Sequence, residues 1–165
     1  AYFGYLNGYE FIYQAVADPV VVEAIRKALG ETVQALVKKH GFAPADLQEH
    51  VDDLIFRFSN VALADQISRI GRDPIRKLGP ADRVIGGARL ALEYGIVPEN
   101  VALVAAAALR YDPEDDPAAQ EIQQMIRESG VGRVFETVCG IDPNGELAKL
   151  IVKQMDNPLV EGRSG

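Results

Sequence analysis

Four cations crowd into nine residues of this chain. Arg69, Arg72, Arg76 and Lys77 stand against one acid, Asp73, in the stretch RIGRDPIRK, a local charge of +3 in a protein of formal net charge −7. Asp73–Pro74 reads as a helix start, because proline disfavours helix at the residue before it and is pre-set for the first turn. Arg76 and Lys77 then fall in that first turn, beside backbone N–H groups without intrahelical partners. Cations beside such groups attract anions. Arginine offers a planar fork to phosphate or carboxylate, and lysine a compact charge. The ligand this pattern suits is a small anion, most naturally a phosphate. The same side chains could instead be a solvated face, paired with carboxylates elsewhere. Asp73 also competes: as an N-cap it would occupy the N–H groups an anion wants. It could equally orient Arg72 or Arg76, or accept a hydrogen bond from a ligand hydroxyl.

The remaining reactive residue types suggest structure rather than chemistry. His40 and His50 have no second His, Cys or carboxylate at metal spacing, so no metal site is expected. His40 belongs at a helix C-terminus, where a cation suits the dipole. Cys139, in FETVCG, reads as a buried apolar thiol. Tyr2, Tyr5, Tyr9 and Tyr13 have helical spacing and read as core or interface. Asp52–Asp53 and Asp115–Asp116 are adjacent, so their side chains diverge on a helix and make poor acid/base dyads. No glycine-rich phosphate loop is present. The residues alone give one basic pocket candidate and no complete catalytic set.

The elements that must hold this cluster are helical. Apolar residues recur three and four apart through most of the chain, and no period-two alternation persists over five residues. AYFGYLNGYEFIYQAV reads as one helix. Asp18–Pro19 starts the next, which runs to about His40 with Gly41 as its C-cap. Further helices are expected from Pro44, through ALADQISRIG, from Pro74, through GPADRVIGGARLALEYG and from Pro98, with three short ones after the acidic loop Asp112–Pro117. The glycine pair Gly86–Gly87 marks a close backbone approach. The expectation is an all-α domain of about eight or nine helices over residues 1–157, with a flexible tail over 158–165.

Length and composition set the outer bounds. At 165 residues and 48% hydrophobic content the chain suits one domain with its own core. A pI near 4.8 argues against nucleic-acid binding by overall charge. The longest apolar run, Val101–Leu109, is far short of the roughly 20 residues that span a bilayer and reads as a buried helix. A single cysteine excludes an internal disulfide and fits a reducing, cytoplasmic compartment. The chain opens at Ala1, directly in a helical pattern with no capping residue ahead of it. It reads as a piece cut inside or beside a helix; the alternative is methionine removal before a small residue.

RIGRDPIRKLGPADRVIGGARLALEYG, preceded by RFSNVALADQIS, resembles the C-terminal substrate domain of the mannitol-1-phosphate 5-dehydrogenases, within the polyol-specific long-chain dehydrogenases. AYFGYLNGYEFIYQAVADP, KKHGF and EDDPAAQEI fit as well, and the likeness runs from about Ala1 to Met155. It implies an all-α domain similar in fold to the C-terminal domain of 6-phosphogluconate dehydrogenase. It also implies a preceding Rossmann domain that binds NAD, as cofactor and intramolecular partner, in a cytoplasmic enzyme of mannitol metabolism. The reaction implied is metal-free hydride transfer between mannitol 1-phosphate and fructose 6-phosphate. The family's catalytic Lys, Asn and His, in a K-x4-N-x2-H pattern, lie just before the tyrosine-rich helix. This chain therefore holds no catalytic or cofactor-binding residue of the family and should be inactive alone. What carries over is substrate binding: Arg76 and Lys77 on the phosphate, Arg72 on a hydroxyl or the phosphate, Asp73 as an orienter and Arg69 as a neighbour. The alternatives are a helical interaction or dimerisation module, or the same domain from a dehydrogenase of unphosphorylated mannitol or of a hexuronate.

Overall fold

A computed structural model describes residues 1–162 of the chain. The described residues form twelve α-helices, one 3-10 turn at Val61–Leu63 and one π-helical turn at Phe135–Cys139. No strand occurs among them; the one β-type pairing is an isolated antiparallel bridge between Phe11 and Gln66. The all-α expectation holds, with more and shorter helices than the eight or nine foreseen.

Helix α8, Glu99–Leu109, is the centre of the molecule. Five of its residues are alanine, and Ala102, Ala105, Ala106, Ala107 and Ala108 are all buried. Small side chains let neighbours approach from every side, and a helix apolar all round must be interior. Around it pack the long α3 (Pro19–His40), α7 (Ile85–Glu93), α11 (Glu146–Gln154) and the short α1 (Tyr2–Leu6). Helix α4 (Pro44–Phe58) lies outside, on α3 and on α2 (Ile12–Ala17).

Helix starts follow the Asp-Pro signals. Asp18, Asp73 and Asp116 cap α3, α6 (Pro74–Lys77) and α9 (Pro117–Ser129), each carboxylate accepting first-turn N–H groups. Gly41 ends α3 in the left-handed conformation, with Lys38, Lys39 and His40 in the last turn. The central helix has no cap of its own: Pro98 precedes it. Buried Glu31, reaching across from α3, accepts from the backbone N–H groups of Asn100 at 2.9 Å and Val101 at 2.9 Å, and from the Asn100 amide at 2.6 Å.

Three expectations need correcting. The opening stretch is two helices, not one. Gly8 takes φ +76°, the Asn7 amide donates to the Phe3 carbonyl, and Phe11 is pulled into its bridge with Gln66. The helix around the glycine pair is shorter than foreseen, because residues 79–84 turn back beneath it. A Cβ on Gly86 would sit 2.9 Å from the Ala81 carbonyl carbon, which is the close approach the pair permits. Residues 158–165 are not a flexible tail throughout. Pro158–Glu161 is helix α12, capped by Asn157, and its Val160 is fully buried among the residues of α1 and α8. Residues 163–165 lie outside the described part.

Cys139 ends the π-helical turn and is 1% exposed. Burial pushes its thiol up to about 12. Alkylation needs the thiolate, so iodoacetamide at pH 8 should leave Cys139 unmodified in the native protein and label it fully in urea. Native labelling within minutes, read by intact mass, would contradict this placement.

A braced basic corner as the candidate functional site

The cluster sits where α5, Ile67–Gly71, turns into α6. Arg72 is extended, with ψ 148°, and Asp73 then adopts the left-handed conformation at φ 59°. That conformation is uncommon for a residue with a Cβ and needs support from its surroundings. Three braces supply it. The Asp116 carboxylate accepts the Asp73 N–H at 2.9 Å while its other oxygen caps α9. The Asp73 carboxylate accepts the Arg76 N–H and, from the Arg76 side chain, Nε–H, both at 3.2 Å. Beneath them, the Lys77 ammonium donates to the carbonyls of Ile70 and Arg72, each at 2.5 Å.

Lys77 is where expectation and structure part. It is buried, 8% exposed, and points inward. Two of its three N–H donors are held by carbonyls at the end of α5, where a cation meets the negative end of the helix. Its Nζ also lies 5.8 Å from the centroid of the Tyr2 ring. Burial first, then the charges of Arg76 and Arg83, hold its ammonium below the usual lysine range. α6 turns this side chain inward because Pro74 and Leu78 share the buried face with it.

The arginines point outward. Arg69 is exposed and pairs with Asp65, which lies just ahead of α5. Arg76 is shared between Asp73 at 3.2 Å and Asp82 at 3.7 Å. Asp82 also accepts the Arg83 N–H at 2.6 Å and its Nε–H at 3.1 Å, and these bonds hold its carboxyl below the ordinary range. Arg72 is exposed, and among the described residues its guanidinium has no hydrogen bond or ion pair. The corner thus presents one unpartnered fork, with a half-neutralised one beside it. Of the free N–H groups expected at the start of α6, Asp73 takes that of Arg76, as the competing reading required.

Aromatic rings wall the corner from within. Tyr2 and Tyr5 both meet buried Tyr111 edge to face, at 5.2 and 4.7 Å between centroids. Burial, then Asp116 and Asp115, push the Tyr111 hydroxyl up to about 12. The Tyr2 hydroxyl is raised further, by burial and then by Tyr111, Asp116 and Asp73, and it is buried without a hydrogen-bond partner among the described residues.

Two residues of the corner escaped the sequence reading. Asp116 belongs to a stretch that reads as an acidic loop, although Asp116–Pro117 repeats the helix-start signal of Asp18 and Asp73 and caps α9. Arg83 carried no local signal; its charge reaches Tyr2 and Lys77 only through the fold. The described residues include no group of three His, Cys, Asp or Glu side chains able to hold a metal. No helix of the described part is long and apolar enough to cross a membrane.

Residues 1–157 match the family profile described as mannitol dehydrogenase C-terminal domain. The chain is similar to mannitol-1-phosphate 5-dehydrogenases from Bacillus velezensis, 36% identical, Bacillus licheniformis, 37% identical, and Bacillus subtilis, 36% identical. Each match covers 94% of this chain and 41% of the relative. The chain therefore spans about two fifths of the length of these proteins.

Proposed function

Since the chain belongs to the mannitol dehydrogenase C-terminal domain family, we propose that it is the substrate-binding part of an NAD-dependent dehydrogenase. The substrates proposed are mannitol 1-phosphate and fructose 6-phosphate. The observation that carries this reading is the corner itself: a strained turn, braced from three sides, that holds the Arg72 guanidinium unpartnered in solvent. A planar fork carried on a fixed backbone binds a phosphate with two parallel charge-assisted hydrogen bonds. Arg76 is the second phosphate contact, released from Asp73 or Asp82 as the substrate's charge arrives. Asp73 orients Arg76, and Arg69 stands at the rim. Lys77 acts from beneath, by fixing the carbonyls of Ile70 and Arg72.

The domain performs no chemistry alone. It supplies orientation, holding the polyol so that its secondary alcohol carbon meets the nicotinamide bound by the preceding domain. Proton removal falls to the Lys-Asn-His set that the family places ahead of residue 1. A cytoplasmic enzyme of mannitol metabolism fits this reading.

The test is kinetic. With the NAD-binding domain joined, Arg72→Ala should raise KM for mannitol 1-phosphate by roughly 10- to 100-fold, the worth of a charged hydrogen-bond pair. KM for unphosphorylated mannitol should stay as it was. Equal effects on both substrates would remove Arg72 from the phosphate. A second reading, a neutral polyol as substrate, is favoured by the two carboxylates on Arg76. It would appear as wild-type turnover no better with mannitol 1-phosphate than with mannitol.

A further inference from the structure

We infer that Asn144–Gly145, in the turn ahead of α11, is a site of spontaneous deamidation, and that the fold protects Asn7–Gly8, the same dipeptide. Asn-Gly occurs at these two places in the sequence. The reaction is intrinsic to the pair. The glycine main-chain nitrogen attacks Cγ of the asparagine, and the new N–C bond closes a cyclic succinimide. The Cγ–Nδ2 bond breaks, and the amide nitrogen leaves as ammonia, taking up the proton of the glycine N–H. Solvent water then opens the ring at either carbonyl, giving aspartate or isoaspartate. Glycine favours the attack because it has no Cβ to shield its nitrogen. The fold decides whether the asparagine side chain is free to reach that nitrogen.

At Asn144 it is free. The residue is exposed, and among the described residues its side-chain amide makes no hydrogen bond. The Asp142 carboxylate accepts its main-chain N–H at 2.9 Å, and the Asp142 carbonyl accepts the Gly145 N–H at 2.9 Å. Both bonds fix the backbone of the turn and leave the asparagine side chain loose. The turn also selects glycine, since a Cβ on Gly145 would stand 3.1 Å from the Asp142 carbonyl oxygen. The packing that calls for glycine thereby supplies the unshielded nitrogen. Asn7 differs. It is half-buried at the end of α1, and its amide donates to the Phe3 carbonyl at 2.8 Å and to the Leu159 carbonyl of α12 at 3.4 Å. The Gly8 N–H is held by the Tyr5 carbonyl at 3.0 Å, much as that of Gly145 is held. The contrast between the two pairs therefore lies in the asparagine side chains.

The two products act differently on α11, which starts at Gly145 as its N-cap and packs on the central α8. Aspartate places a negative charge beside the positive end of the helix dipole. Isoaspartate carries the main chain through its side-chain carbon, and the added backbone atom disrupts the turn between Asp142 and Gly145.

Peptide mass spectrometry of the full-length protein, aged in mildly alkaline buffer with and without guanidinium chloride, tests this. The denatured sample gives the intrinsic rate of each pair. In the native sample Asn144 should convert within a few-fold of its denatured rate. Asn7 should fall below its own denatured rate by roughly tenfold, because its amide must first leave the Phe3 and Leu159 carbonyls. Gly145→Ala should suppress conversion at Asn144 in both samples. Native suppression at Asn144 as strong as that at Asn7 would overturn the inference, and so would an Asn7 that converts as fast folded as unfolded.

Discussion

Glu31→Ala should destabilise the fold by about 3 kcal/mol, with a fall in Tm of roughly 6–12 °C for a domain of this size. Among the described residues Glu31 is the sole side-chain cap of α8, around which the other helices pack. Its carboxylate reaches from α3 and satisfies N–H groups that have no partner within the helix. It also places a negative charge at the positive end of the helix dipole. Alanine removes both oxygens and leaves these donors unpaired. Glu31→Gln keeps one acceptor oxygen and should cost less, about 1–2 kcal/mol. Urea unfolding of the two variants measures both. A loss below about 1 kcal/mol for the alanine variant would mean that water serves these groups as well as the carboxylate does.

Lys77→Met separates two roles for the same cation. Methionine matches the length of the stem but leaves the carbonyls of Ile70 and Arg72 without their donor in a buried place. The expected loss is about 2–4 kcal/mol, from two unsatisfied acceptors at a helix C-terminus. With the NAD-binding domain joined, the variant should lose kcat/KM for mannitol 1-phosphate and for mannitol by similar factors, because the corner loosens for either substrate. A phosphate ligand would behave differently. Its removal would leave stability nearly unchanged and raise KM for the phosphorylated substrate alone. That second pattern would restore Lys77 to the phosphate and refute the brace. Lys77→Arg should not rescue, since a planar fork cannot replace a compact ammonium between two converging carbonyls.

The buried carboxylates share one theme. Asp18, Glu31 and Asp116 are the buried acids of the described part, and each accepts N–H groups at the start of a helix. Tyr9 also donates its hydroxyl to Asp18 at 2.8 Å. Acid side chains are almost never buried without such pairing. Their positions therefore report architecture, and Asp116 also braces the basic corner, because its second oxygen holds the strained turn at Asp73.

Local rules reached far into this protein. Asp-Pro pairs located the starts of α3 and α6, because the proline constraint and the carboxylate cap act within a few residues, and the same pair at Asp116–Pro117 starts α9 inside what reads as an acidic loop. The alanine-rich run identified the buried central helix, since a segment apolar on every side has nowhere else to go. The crowding of Arg69, Arg72, Arg76 and Lys77 marked the corner. What those rules could not reach was the direction each cation faces. Lys77 turns inward because Tyr2, far away in the chain, forms the wall above it and the carbonyls of α5 converge below. Asp73 holds its left-handed turn because Asp116, 43 residues later, accepts its N–H. Arg76 is half-neutralised because the turn before α7 brings Asp82 back beside it. Helix boundaries and amphipathic faces come from neighbours in sequence, which composition and spacing specify. The pairing of charges comes from neighbours in space, and only the packed tertiary structure decides which carboxylate or carbonyl lies beside which cation.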